Sequence, residues 1–166
     1  LLAALHGIAV RESTPVTDFT FKRLLPLQRL VAGAFDGPER IPLLEQVIGL
    51  SISGVSHMAA RLFSLWFAER LGWQPGDDGF HDRRGRLISS EHRPEAHGCT
   101  SEVIISMEDG RTGEIRTQEA GCADVEFPEG TESHPIVSAP ENGMLLLKEV
   151  DNVTSDALFR AALSIK

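Results

Sequence analysis

Tyrosine is absent from this 166-residue chain, and cysteine occurs only twice, at Cys99 and Cys122. Without tyrosine the commonest aromatic of protein interfaces is missing. Two cysteines make no disulfide framework, so reduced, idle thiols in a cytoplasmic protein are the expectation. A redox pair stays open only if the two Cα atoms come within about 7 Å. No apolar run reaches the roughly 20 residues of a membrane-spanning helix. No basic segment followed by an apolar stretch opens the chain, so no secretory signal is visible. The first residue is Leu1 rather than Met, which fits a processed chain or one cut from a longer protein.

Several chemical signatures are missing as well. Fifteen glycines are present, but none stands in a G-x-x-x-x-G-K-[ST] or G-x-G-x-x-G arrangement, the backbone cradles for phosphates. There is no G-x-S-x-G nucleophile turn, no C-x-x-C and no H-E-x-x-H. A basic excess is also lacking. Net charge is −8, and it is unevenly placed: residues 1–100 carry 11 basic and 11 acidic side chains, residues 101–166 carry 5 and 13. The acidic second part repels phosphate backbones and anionic lipid, which argues against nucleic-acid and membrane partners. Such a surface also simply maintains solubility.

What is present is ordinary globular composition, 42% hydrophobic and 24% charged, long enough for one core. Residues 1–15 read as the end of a preceding domain or a linker, broken at Glu12-Ser13-Thr14-Pro15. Residues 16–166 read as a single α/β domain. Thr17-Asp18 offers a helix start. Phe21, Leu24, Leu25, Leu27, Leu30, Val31, Ala34 and Phe35 then recur at mixed three- and four-residue spacing, with Pro26 either near the start of the main helix or kinking it. Residues 43–53 alternate around Ile48, Leu50 and Ile52 and suit a strand. Residues 55–71 form the clearest helix, apolar over a wide arc and so mostly buried. Ser53 is placed to cap it, and Gly72 to end it.

Beyond Trp73 the pattern changes to short strands and turns. Residues 80–88 read as a hairpin bent at Asp82-Arg83-Arg84-Gly85, and 89–100 as a polar loop. Residues 102–107 and 113–118 read as a second hairpin around Asp109-Gly110, a signature of type I′ turns. A short strand at 124–127, an exposed loop at 128–143, a strand at 144–150 and an amphipathic helix at 155–165 complete the reading. Local hairpins plus one strand–helix step predict an α+β fold: a mixed, largely antiparallel sheet with helices packed on it.

Candidate chemistry is sparse. His92, His97, Cys99 and Cys122 are legal zinc ligands, but their spacing matches no strong zinc pattern, and a polar loop with surface histidines explains them equally. The helix start beside Gly54 could hold an anion, although it lacks a glycine-rich turn. His57 lies on the polar stripe of its helix, where packing on Arg61 or a backbone group is the plainer role. The acidic pairs Asp77-Asp78 and Glu108-Asp109 fall in turns, where carboxylates mostly hydrogen-bond locally. Arg83, Arg84 and Arg86 stand out in an acidic protein, because arginine forks recognise carboxylates and phosphates. A solvated hairpin tip is the plainer alternative. Trp73 is the one aromatic placed to anchor a partner, with a core role equally open. No catalytic, cofactor-binding or metal residue is assigned. The partner-binding candidates are Trp73, Arg83, Arg84 and Arg86.

Two segments resemble one family. Phe21-Lys22-Arg23-Leu24-Leu25-Pro26-Leu27-Gln28-Arg29, continuing to Ala34-Phe35-Asp36, is similar to a motif of the glucose-6-phosphate dehydrogenase assembly proteins, the OpcA family. Leu65-Trp66-Phe67-Ala68-Glu69-Arg70-Leu71-Gly72-Trp73 is similar to that family's second hallmark. The resemblance implies a non-catalytic effector, without a cofactor, that binds glucose-6-phosphate dehydrogenase and promotes its active, oligomeric form. It also implies a further N-terminal domain. A small-molecule domain sensing a sugar phosphate, near the three arginines or Gly54, is the alternative.

Overall fold

The computed structural model describes residues 19–94, 101–118 and 121–135. Segment 1–15, the helix start at Thr17-Asp18, His97, Cys99, the strand expected at 144–150 and the helix expected at 155–165 lie outside the described residues.

Two helices open the described chain. Helix α1 spans Phe19–Arg23 and α2 spans Leu25–Ala34. The break at Leu24 follows from Pro26, the second residue of α2. A first-turn amide has no partner inside the helix, so proline's missing N–H costs nothing there. The main helix therefore begins near Pro26. Leu24, Leu27, Val31, Ala34 and Phe35 form its buried face.

Residues 41–46, partly expected as strand, form a short 3-10 helix, Ile41–Gln46, because Pro42 fits a first turn and would deprive a ladder of a donor. Strand β1 follows, Val47–Ser53. Helix α3 spans His57–Leu71, two residues later than its apolar pattern suggested. The cap is Ser56, whose hydroxyl accepts from the Ala59 N–H at 3.2 Å. Ser53, expected in that role, instead bonds Glu102 at 3.3 Å. At the other end Gly72 takes φ 68°, ψ 31°, as expected of a helix-ending glycine. The N–H groups of Gly72 and Trp73 bond back to Glu69 and Ala68, a Schellman closure. Nine residues of α3 are buried, since the helix packs on the sheet through β1 and β4 and on α1 from the other side.

The remaining strands are β2, Gln74–Gly76; β3, Gly79–His81; β4, Leu87–Arg93; β5, Ser101–Met107; β6, Thr112–Thr117; β7, Cys122–Phe127; and β8, Gly130–Pro135. They form one eight-stranded sheet in the order β2-β3-β4-β1-β5-β6-β7-β8. Only β1 and β4 run parallel, joined by a crossover through α3 and the β2–β3 hairpin. All other neighbours are antiparallel. The sheet is thus mixed and largely antiparallel with helices against it, as the sequence predicts.

Two strands replace expected loops. β4 continues to Arg93 through Ser89, Ser90, Glu91 and His92, and β8 occupies 130–135. Both are polar for a physical reason: only Ile88 of β4 reaches the core, and β8 is mostly exposed at the outside of the order. The helix-side face of the sheet carries the core, including Leu50, Ile52, Ile88, Val103, Ile105, Met107, Ile115 and Val125. The opposite face is polar. There the Arg116 guanidinium bonds Glu102 at 2.8 Å, Glu126 at 3.3 Å and Glu114.

Candidate functional site

The three arginines flagged in the sequence sit on and beside one tight turn. Asp82 N–H bonds the Arg86 carbonyl at 3.0 Å, Gly85 N–H bonds the Asp82 carbonyl at 2.9 Å, and Gly85 has φ 77°. This is a three-residue hairpin loop with glycine in the left-handed position. Asp82 stiffens it, because one carboxylate oxygen accepts from the N–H groups of Arg84 and Arg86 at 2.9 and 2.8 Å.

Trp73, Arg83, Arg84 and Arg86, the partner-binding candidates of the sequence, line a single cavity of about 310 Å³, together with Arg70 and Glu45. The cavity lies where the C-terminal end of α3, the 3-10 helix and the β3–β4 turn meet. Their roles differ. Trp73 is 4% exposed. Its indole stands edge-on to Phe67, 5.4 Å between centroids, and tilts over Phe80 at 6.2 Å. Trp73 is therefore a core residue that offers the cavity part of its surface.

Arg86 is committed inside the fold. Its Nε donates to Asp82 Oδ2 at 2.7 Å, one terminal nitrogen to the Glu45 carbonyl at 2.7 Å, and the other to the Glu108 carboxylate. Glu108 N–H bonds the Gln46 carbonyl at 2.8 Å, so two of these three segments are also joined through backbone. Burial pushes the Asp82 carboxyl up, but the bonds from Arg86 and the two backbone N–H groups outweigh it and hold the carboxyl below its usual range. The bond to Asp82 in turn raises the Arg86 guanidinium further.

Arg84 and Arg83 are available. Arg84 reaches the Glu45 carboxylate only at 3.5 Å, and both side chains are mostly exposed. Arg83 is exposed and has no ion-pair partner among the described residues. Its guanidinium lies so close to Gly72 that a Cβ there would come within 3.0 Å of Nε. Arg70 adds a third guanidinium, 3.6 Å from Glu69 and about half exposed. The site is thus a basic mouth over an aromatic base, suited to binding carboxylates. Arg70 is not singled out by the sequence because it sits in a helical run that reads as packing; its place in the last turn before Gly72 is the available signal.

The other candidates are dispersed. His92 Nε2 bonds the Val55 carbonyl at 2.9 Å. Cys122 is exposed on β7. Three strands separate β4 from β7, about 19 Å at the usual spacing, so these two cannot share a metal ion. No cluster of three or more His, Cys, Asp or Glu side chains suited to a metal occurs among the described residues. His57 stacks edgewise on His92, 5.3 Å between centroids. Asp78 bonds His81 at 2.8 Å and Asp109 bonds Arg111 at 2.6 Å, local pairings as expected. Glu108 departs from that expectation by reaching Arg86. No helix among the described residues is long and apolar enough to cross a membrane.

Comparison with known proteins gives this architecture a family. A cyanobacterial protein of Nostoc punctiforme, named as an OxPP cycle protein OpcA, is 35% identical over 91 residues, which is 51% of this chain and 20% of that protein. Proteins of the same name from Synechocystis and Synechococcus elongatus are 35% and 38% identical over 68 residues, covering 40% of this chain and 14% and 15% of theirs. The chain thus spans a fifth or less of the relatives it matches. The family described as the C-terminal domain of the glucose-6-phosphate dehydrogenase subunit matches residues 14–163, nearly the whole sequence, and the chain belongs to that family.

Proposed function

We propose that this chain is a non-catalytic effector module that binds glucose-6-phosphate dehydrogenase and promotes its assembly or activation in the oxidative pentose phosphate cycle, in the cytoplasm. Membership of a family named for that dehydrogenase is the observation that carries the reading. The basic mouth formed by Arg70, Arg83 and Arg84 supports it, since exposed guanidinium groups beside an aromatic base suit acidic side chains of a partner. The physical account is linkage. An effector that binds the active form of an enzyme better than the inactive form shifts the population by its differential affinity, and this requires a surface rather than a reactive group.

The test is an activity titration of the purified cognate dehydrogenase over substrate concentration, with and without the full-length protein. A lower apparent substrate requirement together with co-elution on sizing is the expected result. Unchanged kinetics and separate elution, with both proteins folded, overturn the reading.

A further inference from the structure

A second cavity, a groove of about 410 Å³, lies at the opposite end of α3, against the β2–β3–β4 corner of the sheet. Helix and strand periodicity converge there. His57, Arg61 and Ser64 stand at positions i, i+4 and i+7 of α3, one face of the helix. Ser90 and His92 stand at alternate positions of β4, on the sheet face that meets that helix. The two hydroxyls are 3.2 Å apart. Leu65 and the partly buried ring of Phe80 supply apolar lining.

The donors outnumber the local acceptors. Arg61 is exposed and makes no ion pair or hydrogen bond among the described residues. His92 carries its proton on Nε2, because the Val55 carbonyl it meets can only accept. Glu91 is the one carboxylate bordering the groove. Its side chain alternates to the other face of β4 and pairs with Arg93 at 2.9 Å. A groove with an uncommitted guanidinium, the His57 imidazole, a bonded pair of hydroxyls and an apolar wall asks for a ligand with several acceptor oxygens on a compact body, the His92 donor being already spent on Val55.

We propose that this groove binds a small phosphomonoester, with the Arg61 fork on two phosphate oxygens, the one free hydroxyl proton of the Ser64–Ser90 pair donating to a third, and the organic body against Leu65 and Phe80. A guanidinium matches two oxygens of one phosphate side by side. The volume lies in the range of small-molecule sites. The site is separate from the basic mouth and goes beyond the partner-binding reading.

Isothermal titration of the full-length protein tests it, with hexose 6-phosphate as probe and the unphosphorylated hexose in parallel. The expected result is saturable binding of the phosphorylated sugar alone. Arg61→Gln weakens it tenfold or more, the scale of a lost charge-assisted bond, and Arg84→Gln leaves it unchanged. Both side chains are exposed, so equal melting temperatures verify that the variants fold. Three outcomes overturn the proposal: no saturable binding to the wild type, equal binding of the unphosphorylated sugar, or binding that Arg61→Gln leaves at wild-type strength.

Discussion

Arg86 directs one guanidinium at acceptors from three loops: Asp82 in its own turn, the Glu45 carbonyl in the 3-10 helix, and Glu108 after β5. Removing it leaves two carboxylates and a carbonyl without their donor. Its side chain is 23% exposed, so water compensates in part, and Arg86→Ala is expected to cost about 2–3 kcal/mol. Arg86→Lys recovers little of this, because one ammonium cannot span three acceptors fixed by a planar fork. Urea unfolding of the two variants measures both effects. His81 gives a second test at this scale. Its bond to Asp78 raises the imidazole above its ordinary value, and the same bond holds the Asp78 carboxyl below its own. The His81 contribution is therefore complete below the unfolded-state value and disappears as pH rises through the folded one. The Asp78 contribution is present above its unfolded value and disappears as pH falls through its folded one. Titrating the His81 ring by NMR is expected to give a midpoint above ordinary histidine, and Asp78→Asn to bring it back down. The arginine cluster is legible in the sequence as a cluster of charge, and the cavity it lines is not. Which arginine is spent inside the fold is not legible either, because Glu45 and Glu108 reach Arg86 from segments that only the tertiary structure brings near.

Two hairpin turns share one design. In 82–86 and 107–111 the first residue exchanges backbone bonds with the fourth and fifth, and the fourth is a glycine at φ 77° and 86°; Gln118 makes the same two bonds to Gly121 and Cys122. Asp109-Gly110 was expected to form a two-residue type I′ turn. No non-glycine residue among those described has positive φ, so Asp109 keeps the ordinary region and the loop takes a third residue. A Cβ on Gly110 would meet open space, so Gly110→Ala costs only the backbone term, about 1–2 kcal/mol. Gly113 is the contrast. A Cβ there would lie 2.7 Å from the Phe127 ring, while its φ is ordinary, so Gly113→Ala is destabilising through packing alone. Thermal unfolding of the two single variants, plus Phe127→Leu combined with each, separates the mechanisms: the shorter side chain rescues Gly113→Ala and not Gly110→Ala. Elements with a buried periodic face, α2, α3 and β5, were readable. β4 and β8 were not, because a strand with one residue in the core, or one exposed along an edge, shows no hydrophobic alternation.

At the scale of the molecule, the described residues gather charge into patches. The sheet face away from the helices gathers Glu91, Glu102, Glu114, Asp124 and Glu126 against Arg93 and Arg116, while Arg70, Arg83 and Arg84 crowd the far end of α3. A protein of net charge −8 approaching an acidic patch on a partner is repelled overall unless this basic end leads. The arginines at this end are exposed, so their influence is on encounter and orientation more than on folding. Arg83→Glu with Arg84→Glu is thus expected to leave the unfolding midpoint within the range of ordinary surface changes, about 0.5 kcal/mol. The same pair of changes is expected to slow association with the proposed partner, glucose-6-phosphate dehydrogenase, tenfold or more at 20 mM salt. At 500 mM salt wild type and variant should converge, because screening shortens the reach of exposed charges to a few ångströms. Association rates by surface-immobilised binding at both salts measure this. A variant that associates as fast as wild type at low salt removes the basic end from the interface and sends the search to the acidic sheet face. A variant that stays slow at high salt means the arginines act by close contact instead, with Glu side chains blocking a packed interface rather than misdirecting its approach.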